Sequence, residues 1–296
     1  MIAPDDEAPR PPAGEGFGDA VSFAFGDPDG ELYGVARVGL SPKDGRASAF
    51  AVLFQGAVPV VASVQAGIEV PEAGWDDVSV GGLRARIIEP LARWAVELEG
   101  DGGGFRLEFS AASEPMELGA DSAASRASGL LGYEQLCRVD GEARLNGSGR
   151  RLSCLGQRGH GWGPSPWERI ELARTVSAWM EGPRGVALSA VRPAGVATHG
   201  DEAVTGFLVE PAEGLATPIS VAEPRLSTTY DSEGRQRRAG LELWIRDDDE
   251  MPRRLAGEAA CGTSLQLADL QLACSFFHWR MEGRSGVGRY DVLRRT

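Results

Sequence analysis

The chain has 296 residues, 42% of them apolar, and its 43 acidic and 30 basic residues give a formal net charge of −13 at pH 7. This length allows one large or two medium domains with cores of their own, and the negative charge disfavours nucleic acid and anionic membranes as partners. No apolar run approaches the roughly 18 residues of a membrane span and no signal peptide is recognisable, so we expect a cytoplasmic protein without membrane insertion.

The chain begins with an acidic, proline-rich segment, MIAPDDEAPRPPAGEG, at residues 1–16. It has little apolar surface to bury, and segments of this composition at a terminus are usually poorly ordered. We therefore expect residues 1–16 to form a disordered tail.

Beyond the tail, most segments alternate apolar and polar residues between turn signals such as GDPDGE, SPKDGR and NGSGR. In GFRLEFSA, for example, Phe105, Leu107 and Phe109 alternate with polar residues, and LELWIRD repeats the pattern. Period two is typical of half-buried strands in antiparallel hairpins. The pattern predicts an all-β protein with little helix, apart from one short helix within residues 116–130.

The strand signals continue across two breaks in composition, SAASRASGL at residues 122–130 and GPSPW at residues 163–167. The number of predicted strands roughly doubles across this middle part of the chain. We therefore expect two β domains, at residues 17–150 and 151–296.

One segment between these breaks, GQRGHGWGPSPW at residues 156–167, combines four glycines, two prolines, two tryptophans and His160. Glycine and proline at this density are unusual within regular elements, so we expect a shaped loop near the domain junction. Such junctions often hold ligand sites.

With the preceding GYEQLCRVDGEARLNGSGRRLSC, this segment resembles the superfamily of carotenoid 1,2-hydratase (hydroxyneurosporene synthase) and AttH-like proteins. It shares with that superfamily the residues Tyr133, Glu134, Gln135, Gly156, Arg158, His160, Trp162, Gly163 and Trp167. The resemblance implies two lipocalin-like β domains and a cavity for a long apolar molecule. The superfamily's Asp, Ser and Arg-Asp pair are replaced here by Gly159, Gly161 and Ser165-Pro166, so its hydration chemistry does not transfer directly.

Hydrating or cyclising an alkene begins with protonation of carbon, which requires an acid in a dry pocket. The catalytic residues that we predict are His160, as a base, and Glu134, as the nearest candidate acid. Two alternatives remain open. Arg158 would keep Glu134 ionised if the two form a salt bridge, and His160 would be purely structural if its ring only satisfies backbone carbonyls.

The predicted substrate-binding residues are aromatic with one arginine: Trp162, Tyr133, Arg158, Trp167, Trp179 and Trp244. A tryptophan face stabilises an adjacent cation by roughly 0.5–2 kcal/mol. The alternative for each tryptophan is a place in the hydrophobic core.

Neither a metal nor another cofactor is expected. The four cysteines form no CxxC pair and lie near no histidine at zinc spacing, and GxSxG, HExxH and P-loop motifs are absent from the sequence. Two functions fit these patterns. The preferred one is a cofactor-independent enzyme that hydrates, dehydrates, isomerises or cyclises an isoprenoid- or polyketide-like substrate, with a pericyclic step included. The other is a non-catalytic carrier of a hydrophobic molecule.

Overall fold

The computed structural model describes residues 2–29, 31–70, 74–100, 102–164, 166–196, 198–267 and 269–295. Strand accounts for 68% of the chain and helix for 6%, which confirms the all-β prediction. The chain forms two compact units: unit 1 comprises residues 1–117 and 130–165, and unit 2 residues 118–129 and 166–296. The division falls at residue 165 and not at 150, because the strand that begins at Ser148 runs on to Pro164.

Unit 1 contains a curled sheet of eleven strands that forms a near-barrel. Its strands are β1 Phe17–Asp27, β2 Leu32–Ser41, β3 Arg46–Gln55, β4 Val58–Glu69, β5 Val78–Val80, β6 Leu83–Glu89, β7 Arg93–Gly100, β8 Gly103–Ala111, β9 Met116–Leu118, β10 Leu131–Leu145 and β11 Ser148–Pro164. They pair in the order β4-β3-β2-β1-β11-β10-β8-β7-β6-β5, with β9 beside β10. The 3₁₀-helices of this unit are Pro4–Glu7 and Pro42–Asp44.

Unit 2 contains nine strands, paired so that its first and last strands are neighbours, as in unit 1. They are β12 Ile170–Met180, β13 Arg184–Pro193, β14 Ala203–Val209, β15 Ile219–Ser220, β16 Glu223–Tyr230, β17 Gln236–Trp244, β18 Arg253–Leu267, β19 Leu270–Met281 and β20 Arg284–Arg295. Their order is β15-β14-β13-β12-β20-β19-β18-β17-β16. The 3₁₀-helices are Trp167–Arg169 and His199–Asp201.

Among the described residues there is one α-helix, α1 Ala123–Ser128, and it lies within the window predicted from the sequence. It begins where the Ser122 side chain accepts a hydrogen bond from the Ser125 N–H, and it ends at Gly129, whose φ of 71° is left-handed. These are the usual start and stop signals of a helix. None of the described helices is long and apolar enough to cross a membrane.

Each unit has its own hydrophobic core, built from the inward residues of its alternating strands. Phe105, Leu107 and Phe109 are buried in unit 1, and Leu241 and Leu243 in unit 2, as the alternation predicts. The cysteines are free thiols. Burial raises the pKa of the Cys137, Cys154 and Cys261 thiols to about 12, and it raises the pKa of Cys274 well above its usual value.

The glycine-rich segment that we predicted as a loop is instead the end of strand β11, in the middle of the sheet. The prediction was wrong because the glycines serve close packing here, not flexibility. A Cβ on Gly156 would lie 2.4 Å from the Ala24 carbonyl oxygen, and one on Gly159 would lie 2.5 Å from a Glu134 carboxylate oxygen. Glycine is the residue that permits this approach of neighbouring strands.

The predicted disordered tail is also wrong for the part we call the N-terminal arm, residues 2–10. The arm contains the 3₁₀-helix Pro4–Glu7, and Glu7 is fully buried in unit 1. Arg10 fixes the end of the arm, because its backbone N–H donates to an Asp19 carboxylate oxygen at 2.7 Å. A few strong polar contacts therefore offset the entropy lost on ordering this polar segment.

Candidate functional site

A row of polar side chains lies on the inward face of β10 and β11. In the register of these strands Tyr133 is opposite His160 and Gln135 is opposite Arg158, and all four are buried. On the other side of β11, Phe23 of β1 is opposite Arg158. Alternate residues of a strand face the same way, so the row projects into the interior of unit 1, where apolar side chains surround it.

The N-terminal arm places Glu7 at one end of this row. Its carboxylate accepts hydrogen bonds from Arg158 Nη1 at 2.5 Å, the Tyr133 hydroxyl at 2.5 Å, Trp94 Nε1 at 3.1 Å and the Leu91 N–H at 2.9 Å. Burial by itself raises the pKa of Glu7, but the Arg158 charge and the Tyr133 and Leu91 hydrogen bonds bring it below its usual value. Glu7 is therefore a carboxylate at neutral pH.

A second carboxylate, Asp19 of β1, holds the ring of His160. His160 Nε2 lies 2.6 Å from Asp19 Oδ1, and both side chains are fully buried. The other Asp19 oxygen accepts from Trp75 Nε1 at 3.3 Å. A carboxylate only accepts, so Nε2 carries the proton, and Nδ1 remains the nitrogen that can accept or release one. Within the described residues, Nδ1 has no hydrogen-bond partner.

Aromatic rings pack edge-on around the imidazole of His160. The ring centroids of Trp75, Tyr133 and Trp162 lie 5.9, 6.0 and 5.1 Å from it. Trp162 is half-buried, and the guanidinium of Arg10 lies 4.1 Å from its ring centroid. The imidazole is thus held in one orientation in a buried, aromatic environment.

Four of the predicted site residues, His160, Tyr133, Arg158 and Trp162, come together in this way. Glu134 does not join them. It is opposite Gly159 on the other face of the sheet, where it accepts a hydrogen bond from Gln157 Nε2 at 2.9 Å. The proposed salt bridge between Glu134 and Arg158 is therefore wrong, since alternation separates them and Glu7 pairs with Arg158 instead.

The other three predicted binding residues belong to unit 2. Trp167 packs against a small apolar cluster that includes Ile170. Trp179 is buried on β12, and Trp244 is half-buried at the end of β17 with the Arg225 guanidinium 4.5 Å from its ring centroid. Trp167 thus has a place in an apolar cluster, which is the alternative that the sequence left open, whereas a binding role for Trp179 and Trp244 stays a prediction.

Four residues of the site were missed from the sequence: Glu7, Asp19, Trp75 and Trp94. For Asp19 a signal existed, because it occupies an inward position of β1 in line with the apolar residues Phe17, Val21 and Phe23. An acidic residue in such a row needs a buried partner. Glu7 carries no such signal, since it follows two other acidic residues, Asp5 and Asp6, in a polar segment.

The model of a protein family described as Domain of unknown function (DUF7064) matches residues 3–296. Among solved structures, the chain is similar to an AttH candidate from Nitrosomonas europaea, with a TM-score of 0.69 and 12% identity over 93% of this chain and 91% of that one. It is similar to kievitone hydratase from Nectria haematococca, with a TM-score of 0.62 and 12% identity over 94% and 89% of the two chains.

The third similar structure is CghA with Sch210972, with a TM-score of 0.61 and 13% identity over 95% and 89% of the two chains. No curated protein sequence matches this chain significantly. At these identities the likeness establishes the fold. It confirms the architecture of two lipocalin-like domains that the resemblance around Tyr133 and His160 implied.

Proposed function

We propose, from the geometry of unit 1, that this chain is an enzyme that transfers protons on a lipophilic small molecule. It belongs to the family described as Domain of unknown function (DUF7064), whose model matches residues 3–296. The observation that carries the proposal is the buried pair of His160 and Asp19. It leaves Nδ1 of the imidazole without a partner among the described residues, inside an aromatic environment. A histidine held by a carboxylate in this way is a common form of general acid–base catalyst.

The proposed reaction is hydration, dehydration, isomerisation or cyclisation of an isoprenoid- or polyketide-like substrate, without a cofactor. The apolar side chains that line unit 1 favour a lipophilic substrate over a sugar or nucleotide. One protein of similar fold, kievitone hydratase, supports this class of chemistry by its name, and another, CghA, was solved with Sch210972.

In the proposed mechanism, His160 Nδ1 removes or delivers the proton, and Asp19 stabilises the imidazolium when the ring carries two. The Glu7 carboxylate and the Tyr133 hydroxyl do not serve as the acid. Glu7 is ionised, and burial raises the pKa of Tyr133 above its usual value while the hydroxyl donates to Glu7. Trp75 and Trp162 would stabilise a cationic intermediate by roughly 0.5–2 kcal/mol each if the substrate lies over a ring face.

A non-catalytic carrier is the second candidate. The observation that favours it is that both carboxylates of the site, Glu7 and Asp19, are already engaged by protein donors. A pericyclic reaction that depends only on the shape of the cavity would also need no acid. The experiment must therefore separate proton transfer from binding.

The test is incubation of the purified protein with a lipid extract of its source cells, in H₂¹⁸O or in D₂O, followed by mass spectrometry. Hydration adds ¹⁸O to the product, protonation of carbon adds deuterium, and a pericyclic step adds neither. The matched control is His160→Gln, whose amide nitrogen replaces Nε2 and keeps the contact with Asp19 while Nδ1 is lost. We expect turnover to fall by about 10²–10⁴ in the variant. Ligand recovered unchanged from both proteins would identify a carrier instead.

A further inference from the structure

Arg158 is buried to 2% exposure, yet its Nε and Nη2 have no hydrogen-bond acceptor among the described residues. The Oε1 of Gln135, which is 1% exposed, likewise has no donor there. More than about 90% of buried polar groups in proteins have a partner, either protein or water. Unpaired donors and an unpaired acceptor on neighbouring residues indicate that another molecule forms hydrogen bonds with them.

These atoms are neighbours by the register of the sheet. Gln135 and Arg158 are directly opposite on β10 and β11, which places their Cβ atoms about 4.5–5.5 Å apart on the inward face. Both side chains are fixed at their other polar atoms. Arg158 Nη1 donates to Glu7, and Gln135 Nε2 donates to the carbonyl oxygens of Leu91 at 3.0 Å and Ser113 at 2.7 Å. We call the pair, with its uncommitted atoms, the Arg158–Gln135 fork.

The charge of the fork selects the chemistry of its ligand. Glu7 already neutralises Arg158 at 2.5 Å, so a second carboxylate would add an uncompensated charge in a buried place. A neutral oxygen avoids this cost. A hydroxyl group can accept from Arg158 and donate to Gln135 at once, whereas a carbonyl can only accept.

The surroundings of the fork are apolar and aromatic. The ring of Phe23, which is opposite Arg158 on β1, lies 5.4 Å from the Trp94 ring and 5.2 Å from the Phe109 ring. The Arg158 guanidinium itself lies 5.8 Å from the Trp94 ring centroid. A ligand bound here would therefore contact one polar group, the fork, among apolar and aromatic side chains.

We propose that the Arg158–Gln135 fork binds a hydroxyl group of an otherwise apolar ligand, so that the protein recognises lipophilic alcohols or enols. This rests on the proposed function only in assuming a lipophilic ligand in unit 1, and it holds for an enzyme and a carrier alike. The fork thereby adds a determinant of specificity beside the proton-transfer pair at His160.

The test compares four probes with one carbon skeleton: farnesol, farnesal, farnesoic acid and farnesene. Their affinities for the full chain are measured by isothermal titration calorimetry. We expect farnesol to bind at least about tenfold more tightly than farnesene, because a site built for a hydrogen-bonding ligand rejects the analogue that leaves its polar groups unpaired. Farnesal should fall between them, and farnesoic acid should bind no better than farnesene.

The variant is Arg158→Lys, which keeps a positive charge for Glu7 but lacks the Nε and Nη2 donors. We expect the preference for farnesol over farnesene to fall below about threefold. The matched control is Arg174→Lys in unit 2, where Arg174 is equally buried and contacts Glu202 and Tyr290. It should keep the preference of the native protein, so a general effect of replacing a buried arginine is separated from the fork.

The comparison of probes with the native protein stands even if Arg158→Lys does not fold. Equal affinity for farnesol and farnesene would overturn the proposal, because the fork would then hold water only. Absence of binding by all four probes would overturn it together with the lipophilic substrate. A clear preference for farnesol, together with ligand recovered unchanged from the incubation with lipid extract, would leave the fork established and the enzyme hypothesis refuted.

Discussion

Replacing Glu7 by glutamine removes one buried charge while it keeps the shape of the side chain. Arg158, which is 2% exposed, then loses the carboxylate that neutralises it. Removing one partner of a buried ion pair typically costs about 3–5 kcal/mol of stability. The free energy of unfolding of unit 1 should fall by that amount at pH 7.

The hydrogen bonds of Glu7 predict a loss of stability of similar size in Glu7→Gln. One carboxylate oxygen accepts from Tyr133 and Arg158, and the other accepts from Leu91 and Trp94. A glutamine has one acceptor oxygen, so its amide nitrogen must face one of these pairs of donors. Two buried donors without an acceptor cost about 2–6 kcal/mol, at about 1–3 kcal/mol each.

The pKa of Glu7 determines how the loss of stability in Glu7→Gln depends on pH. The folded pKa of Glu7 lies below its usual value of 4.5, so the ionised carboxylate stabilises the native state. This stabilisation is complete above the unfolded pKa and is lost as pH falls through the folded pKa. The difference in stability between the native protein and Glu7→Gln should therefore be largest near neutral pH and shrink below about pH 4.5.

Urea denaturation followed by circular dichroism and by tryptophan fluorescence measures these differences. The matched control is Asp5→Asn, which removes the same charge from an exposed position of the same 3₁₀-helix. It should change stability by less than about 0.5 kcal/mol. If Glu7→Gln is as harmless as Asp5→Asn, the arm is not held by its carboxylate and the structure of the Glu7 cluster is refuted.

Three further predictions follow from the same contacts. His160→Asn loses the contact with Asp19 and should lower the free energy of unfolding by about 1–3 kcal/mol in denaturation experiments, whereas His160→Gln keeps the contact and should melt close to the native protein. Equal losses of stability in the two variants would contradict the assignment of Nε2 to Asp19. Gly156→Ala should destabilise the protein by about 1–3 kcal/mol because the new Cβ would clash with the Ala24 carbonyl oxygen, whereas Gly161→Ala should be tolerated because the nearest atom lies 3.6 Å from its Cβ. A larger loss of stability in Gly161→Ala than in Gly156→Ala would contradict the strand assignment. The cysteine thiols, with their raised pKa values, should resist iodoacetamide at pH 8 until the protein is unfolded, and rapid native alkylation counted by mass spectrometry would show them to be accessible.

Local pattern was sufficient to predict the elements whose signal lies within a few residues. The alternation of Phe105, Leu107 and Phe109 identifies a strand and its inward face without reference to any partner. The cap at Ser122 and the glycine that follows the helix are equally local signals. The same alternation is present between Arg158 and Trp162, and it indicates the strand correctly where the glycine content suggests a loop.

The sequence singles out His160, Tyr133, Arg158 and Trp162, which the fold brings together, but it does not reveal their partners. His160 bonds with Asp19 across 141 positions, and Arg158 bonds with Glu7 across 151. Such contacts depend on the pairing of β1 with β11 and on the docking of the arm, which no local pattern encodes. The expected acid, Glu134, is near His160 in sequence, but the alternation of β10 places its side chain on the other face from Tyr133 and Gln135.

The glycines of β11 show why the site is confined to one register. A strand that slips by one residue exchanges its two faces. In β11 this would turn Arg158, His160 and Trp162 outward and bring Gly159 and Gly161 into the core, where they would leave voids. Both Glu7 and Asp19 would then be buried without their partners, which is costly for a charge. The same alternation of glycine with large polar and aromatic residues that looked like a loop therefore selects the pairing of β1, β10 and β11, and with it the geometry of the proposed catalytic pair.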